Sequence, residues 1–308
     1  MDENGLGPRL GPLVVTAVAF SGTSDARPRD LGSLVGDSKA LASHADPSLG
    51  EAWARALAAA LDFDASTPAA LLAALSVDSL EALQRPCARG ADGAIDHDAS
   101  PCWHVADERF SASDTQVAAC SEALARWSKR KSPLQLVGVA SVVVCPSMLT
   151  SHAASGLNKL RVDLHAMERL VLALRDRGEG DPVDAICGKV GGTKSYLPAL
   201  GPLAGRLATV VEESQGRSAY RFAGLGDVAF VRDADADDAL VGLASLVGKY
   251  VRELAMGRIV GHLRARADAA AGVGTASGYH DPVTARFVEK TASIRVRLAV
   301  EDRCFFRP

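Results

Sequence analysis

Residues 1–20 read MDENGLGPRLGPLVVTAVAF. Residues 10–20 are almost wholly apolar and rich in β-branched side chains, which marks a buried strand bounded by glycine and serine. Ahead of this strand stand an acidic pair, Asp2 and Glu3, and a turn made of Gly5, Leu6 and Gly7. Neighbouring side chains of a strand point to opposite faces, so both carboxylates can reach one target only where a strand ends and twists into such a turn. The turn also frees backbone N–H groups for a phosphate or a sugar.

Working outward, residues 49–61 and 68–83 are Ala/Leu-rich with helical spacing, the first after a Pro47-Ser48 start signal. From 84 to 112 the pattern breaks with Pro, Gly, Asp and two cysteines, a surface excursion. Residues 113–130 resume as a helix, with Ser113 and Gln116 at capping-box spacing. Residues 134–145 form a second apolar strand stopped by Pro146, 156–174 an amphipathic helix, and 183–188 a third strand after a Gly/Pro turn. Further on we expect a helix over 202–213 and a hairpin over 218–231 turning near Gly224. A long helix over 237–267 carries Asp residues at its N-terminus, where they complement its dipole. Residues 293–300 alternate like an exposed strand.

The chain has 308 residues, enough for one full core, and its many aliphatic and few aromatic residues suit helices packed on a sheet. No segment reaches the roughly 18 apolar residues of a membrane span, and the acidic pair at residue 2 leaves no room for a signal peptide. A soluble, cytoplasmic protein is therefore expected, without a membrane partner. The six cysteines lack paired spacing, so no disulfide framework is expected. A formal charge of −3 gives no global pull toward a polyanion, so any nucleic-acid face must be a local basic patch.

Taken in order, the motifs resemble the type 2 ribonuclease H (RNase HII) family. Asp2-Glu3, then Gly5-Leu6-Gly7-Pro8, a strand, and Gly36-Asp37-Ser38-Lys39-Ala40-Leu41 are similar to its opening block. Leu157-Asn158 followed by Ala166-Met167 is similar to the family helix lying near nucleic acid. Asp235, ten residues before Ser245 in a Leu-Ala-Ser-Leu-Val-Gly-Lys helix, matches the fourth catalytic Asp, and Ser277-Gly278-Tyr279 resembles the Gly-Tyr segment near the RNA–DNA junction. The resemblance implies an α/β, RNase H-like fold with a mixed central sheet flanked by helices. It also implies a family-atypical insertion at about 84–131 and a mostly helical C-terminal segment from about 247. Its chemistry would be hydrolysis of the RNA strand of RNA–DNA hybrids with Mg²⁺ or Mn²⁺ held by Asp2, Glu3 and Asp235, because hard cations that bridge attacking and leaving oxygens want converging carboxylates. The nucleic acid would be met by Gly5, Leu6, Gly7, Ser38, Lys39, Asn158 and Tyr279.

Three departures bear on activity. Leu6 stands where the family has the arginine of Gly-Arg-Gly, so a guanidinium fork is lost. Only Met1 precedes the acidic pair, where relatives have several strand residues. Gly188 stands at the position of a metal-binding Asp, and one carboxylate about 4 Å from a divalent cation is worth roughly 8 kcal/mol of attraction at an effective dielectric of about 20. Lys189 beside it could pair with the acids as a substitute cation. The leading expectation is a hybrid-binding protein whose two-metal nuclease activity is lost or reduced. The alternatives are an active ribonuclease H using Asp2, Glu3 and Asp235, and a non-catalytic interaction scaffold.

Other candidates have blander readings. Cys87, His97, Cys102 and His104 could form a zinc site, but fit no compact paired spacing. Residues 188–195 invite a phosphate-loop reading without the required order, so only a phosphate-contacting nest remains. The basic run after Trp127 reads as a solvated helix end.

Overall fold

The computed structural model describes residues 1–22, 34, 46–77, 103, 108–268 and 272–308. The apolar run at the start becomes strand β2 (Leu13–Ser21), preceded by the short β1 (Asp2–Asn4). β2 pairs antiparallel with β1 on one side and with β3 (Gln135–Val144) on the other. Its side chains alternate between two cores: Leu13, Val15 and Ala17 enter one, Val14, Val18 and Phe20 the other. Covering on both faces is why the sequence here is apolar throughout rather than at every second residue.

The second sheet has the order β4 (Val183–Gly188), β7 (Gly226–Val231), β6 (Arg217–Phe222), β5 (Ala208–Glu213). β4 and β7 run parallel, whereas β7–β6 is the expected hairpin. The Met1 amine donates to the Ile186 carbonyl at 2.7 Å and the Gly188 amide to the Met1 carbonyl at 3.0 Å. Both bonds of one residue fall on alternate residues of β4, the pattern of a parallel ladder. They join the two sheets at the point where the acidic pair begins and where β4 ends in Gly188.

Helices cover both faces. On one side α1 (Ser48–Ala60), α2 (Pro68–Leu75) and α3 (Asp114–Ser128) build a core around Trp53, Leu57 and Trp127. The expected capping box opens α3: Ser113 Oγ accepts from the Gln116 amide and Gln116 Oε1 from the Ser113 amide. The part of the 84–131 span from Asp114 onward is thus built into the main core. On the other side, after α4 (Pro146–Ala154), α5 (Lys159–Arg177) lays Leu164, Met167, Leu170 and Val171 on the sheet. A single turn, α6 (Ala234–Asp237), leads into α7 (Ala239–Arg264), which packs against β1 and β2. The C-terminal helices α8 (Pro282–Lys290), α9 (Ala292–Arg297) and α10 (Asp302–Phe305) form a third cluster with Leu10, Met256, Phe287 and Phe305. Among the described residues no helix is long and apolar enough to cross a membrane.

Three sequence expectations are corrected. The segment expected as a helix over 202–213 ends instead in β5: Thr209, Val210 and Val211 are β-branched and stiff at χ1, and Thr209 and Val210 pair with β6, the register shifting at Val211. The expected strand at 293–300 is largely α9. Alternating Ile294, Val296 and Leu298 imitate a strand, but only Ile294 is buried and Leu298 N–H donates to the Ile294 carbonyl. The helix expected over 68–83 closes at Leu75, after which Val77 N–H donates to the Ser141 carbonyl of β3.

The seat of β1 on α7 depends on one glycine. Asn4 Nδ2 donates to the Ser245 carbonyl, and a Cβ at Gly248 would fall 2.5 Å from Asn4 Nδ2 and 3.0 Å from Thr16 Oγ1. Both neighbours are buried, so Gly248→Ala should cost about 1–3 kcal/mol by overpacking, read as a lower melting temperature. An unchanged melting temperature would mean that β1 does not sit against α7 in this way.

Candidate functional site

The junction of the two sheets creates a cavity of about 120 Å³ whose lining includes Asp2, Glu3, Asp163, Gly188, Asp233 and Asp235. Each comes from a different reason in the fold. Asp2 and Glu3 lie at the start of β1, and Glu3 Oε1 accepts the Leu6 amide at 2.8 Å, tying the glycine turn to the acid. Gly188 ends β4. Asp235 stands on α6, entered through Asp233 in a left-handed backbone conformation (φ 53°). The acidic run is divided in its labour: Asp238 caps α7, accepting from the Leu240 and Val241 amides, while Asp235 lines the cavity.

Burial dominates the electrostatics. It pushes the Asp2 carboxyl up to about 6; the Ser245 hydrogen bond opposes that rise, and the Asp235 and Glu3 charges add to it. Asp163, on α5, has no exposed surface, and neither of its carboxyl oxygens has a hydrogen-bond partner. Its carboxyl is raised well above the usual carboxylate range, first by burial and then by the charges of Glu3 and Asp2. At Gly188 an added Cβ would lie 2.9 Å from Asp2 Oδ1, so the missing side chain leaves room that the Asp2 carboxylate uses.

Of the two directions open to Lys189, pairing with the acids or pointing away from them as a regular strand requires, it takes the second. Its ammonium donates to the Ser214 carbonyl at 2.9 Å and to Ser218 Oγ at 2.8 Å, on the hairpin side of β4, as strand alternation dictates. Burial lowers its pKa, helped by the charge of Arg232.

A second cluster lies at the glycine turn. A Cβ at Gly5 (φ 107°) would meet Arg252 Nε and the Pro12 carbonyl, each at 3.1 Å. The buried Arg252 guanidinium pairs with Glu253 at 2.6 Å, donates to the Ser277 carbonyl, and lies 4.6 Å from the centre of the Tyr279 ring. Arg307 donates to the carbonyls of Gly5, Gly11 and Pro12, and burial followed by the charge of Arg252 pulls its pKa down to about 9. Gly5 and Tyr279 are thus brought together around Arg252. Leu6 is half-buried and Gly7 exposed on the same turn.

Asn158 is exposed and caps α5, accepting from the Arg161 amide at 3.0 Å. Ser38 and Lys39, and the zinc candidates Cys87, His97, Cys102 and His104, lie outside the described residues. Among the described residues no three His, Cys, Asp or Glu side chains are already arranged to hold one ion. The acids line a common space without closing on a common point.

Sequence reading missed Asp163. The signal was there: Asp163, Met167, Leu170 and Leu174 share one helical face, and an acid in that row interrupts an otherwise apolar contact surface. Arg252 was visible only as part of a motif. No family model matches the chain, and neither a curated protein nor a solved structure does.

Proposed function

We propose that this protein is a divalent-cation-dependent endoribonuclease of the RNase HII kind, acting on the RNA strand of RNA–DNA hybrids. The observation that carries the reading is that Asp2, Glu3 and Asp235, matched to that family on motifs at opposite ends of the chain, line one cavity together with Gly188. A mixed sheet with helices on both faces is in keeping with the RNase H-like architecture that the motifs imply. The other reading, that the absence of a carboxylate at Gly188 has cost the activity, is decided by the same assay; Lys189, bonded to Ser214 and Ser218, does not neutralise the acids.

The donor set suits a hard cation: carboxylate oxygens, one of them completely buried and without any partner. Asp2, Glu3 and Asp235 would hold Mg²⁺ or Mn²⁺, which when bound supplies an activated water and offsets the charge of the phosphodiester. The chain's own residues do the positioning. Glu3 fixes the glycine turn through the Leu6 amide, and the Tyr279 ring with Arg252 beside it gives an aromatic face next to that turn. Such a face can stack on a sugar or base.

The test is incubation of purified protein with an RNA–DNA hybrid, and with duplex DNA containing one ribonucleotide, in Mn²⁺ or Mg²⁺. Slow cleavage on the RNA strand is expected, reduced at least about a hundredfold in Asp235→Asn. Absence of cleavage by wild type under both metals would refute the hydrolytic reading. Cleavage equally strong in Asp235→Asn would refute the site.

A further inference from the structure

Asp163 is a carboxylate in a place where a carboxylate stabilises nothing. It is completely buried, both oxygens lack donors, and its charged neighbours Glu3 and Asp2 carry the same sign. An unpaired buried charge is among the costliest features a fold can hold, and such groups are ordinarily paired or bound to metal. The same helix provides the contrast. Glu168, also buried, accepts from the backbone amides of Gly201 and Leu203, the latter at 2.7 Å, and so has a structural reason to be there. Around Asp163 the helix faces are otherwise those of a core, with Val162, Leu164, Ala166 and Met167 buried.

Across the cavity stands Gly188, where the resemblance calls for a metal-binding Asp. The space a side chain would take is used by Asp2, whose Oδ1 is 2.9 Å from the position of a Cβ there. One carboxylate is missing from the end of β4 and one unexplained carboxylate enters the same cavity from α5.

We propose that Asp163 is a relocated ligand: it completes, with Asp2, Glu3 and Asp235, the divalent-cation site of this chain, supplying from α5 the oxygen donor that Gly188 does not supply from β4. The inference rests on the metal-site reading above and adds to it the residue that replaces the missing one. Nothing in it requires the cation to enter from the β4 side. Asp163 lines the same cavity as Asp2, Glu3 and Asp235.

The experiment is Mn²⁺ binding by the full chain, followed by the electron paramagnetic resonance signal of free Mn²⁺ and by the Mn²⁺-induced rise in melting temperature, with no substrate present. Wild type is compared with Asp163→Asn, which keeps the shape and removes the charge, and with Asp163→Leu, which fills the space with an apolar side chain. We expect both variants to fold, with metal-free melting temperatures at or above that of wild type, and to bind Mn²⁺ at least about tenfold more weakly. Asp163→Glu, which retains a carboxylate on a longer stem, should recover part of the affinity. If wild type binds Mn²⁺ and both Asp163 variants bind it within about twofold of wild type, the relocated ligand is refuted while the site of Asp2, Glu3 and Asp235 stands. If wild type binds no Mn²⁺ at all, both readings fall together. Should Asp163→Asn unfold where Asp163→Leu does not, binding by the latter decides.

Discussion

Trp127→Ala should lower stability by about 3–5 kcal/mol, the cost of removing a fully buried large aromatic from a packed core. Trp127 is 1 % exposed in the last turn of α3, stacks on Trp53 with ring centroids 6.0 Å apart, and meets Phe20 of β2 edge-on at 5.4 Å. It therefore connects three elements: α1, α3 and the central strand. Its stacking partner Trp53 cannot relax far into the space left, because it is itself fully enclosed. At about 2–4 °C per kcal/mol the melting temperature should drop by roughly 10 °C, and Trp127→Phe should lose less than half as much. A loss below about 1 kcal/mol in Trp127→Ala would show that α3 is an appendage and not part of the core. The basic residues that follow, Lys129 to Lys131, are the solvated helix end that the sequence suggested; the tryptophan before them is not.

The second large effect is a stability that falls as pH rises when divalent metal is withheld. Burial lifts the carboxyl of Asp2 to about 6 and that of Asp163 well above its usual range. The unfolded chain releases these protons near pH 4, while the folded chain holds them longer. Between those values the unfolded state binds fewer protons, so stability is fully present below about pH 4 and is lost as pH climbs through the folded-state values. For Asp2 alone the change from 3.8 to about 6 corresponds to about 3 kcal/mol by the time its titration is complete. Asp163 adds to the loss over a higher range. Glu168 is displaced the same way by burial, whereas the carboxyls of Asp227 and Asp281 are lowered and act in the opposite sense. In EDTA the melting temperature should therefore fall from pH 4.5 to pH 8, and Mn²⁺ should restore it at neutral pH by binding only the folded state. An Asp2→Asn, Asp163→Asn double variant should flatten the profile. A profile already flat in wild-type protein with EDTA would contradict the burial of these acids.

Much of the architecture was legible where one physical signal dominated. The apolar run into β2, the Ser113–Gln116 box and the Gly224–Gly226 turn each specify one local structure, and each stands where expected. The reading went wrong where two periods compete over a short span. The stretch from Pro202 mixes Leu and Ala with Thr209-Val210-Val211, and pairing with β6 decided for a strand. The Ile294, Val296, Leu298 alternation was overridden by the packing of Ile294 into the C-terminal cluster. At the site, Asp2, Glu3, Gly188 and Asp235 could be named because motifs carry them. Asp163 was not named: its place in the apolar row of α5 is legible, but what that row faces is not. That depends on the rotation of α5 against a sheet whose strands come from the rest of the chain.

The brevity of β1 has a consequence for the order in which the protein can mature. Its three residues pair at once with their neighbour β2, yet Asn4 is held by the Ser245 carbonyl, a contact spanning 241 residues. During synthesis the β1–β2 ladder can form early, but the cavity is not lined by Gly188 until β4 is laid beside Met1, nor by Asp235 until α6 has emerged. Contacts of such separation form late, because the loop must be closed before they return any stabilisation. The acids are thus gathered at the final stage of folding, when their repulsion is greatest and little is left to offset it. Cation binding at the proposed site would for that reason report a chain whose folding is complete.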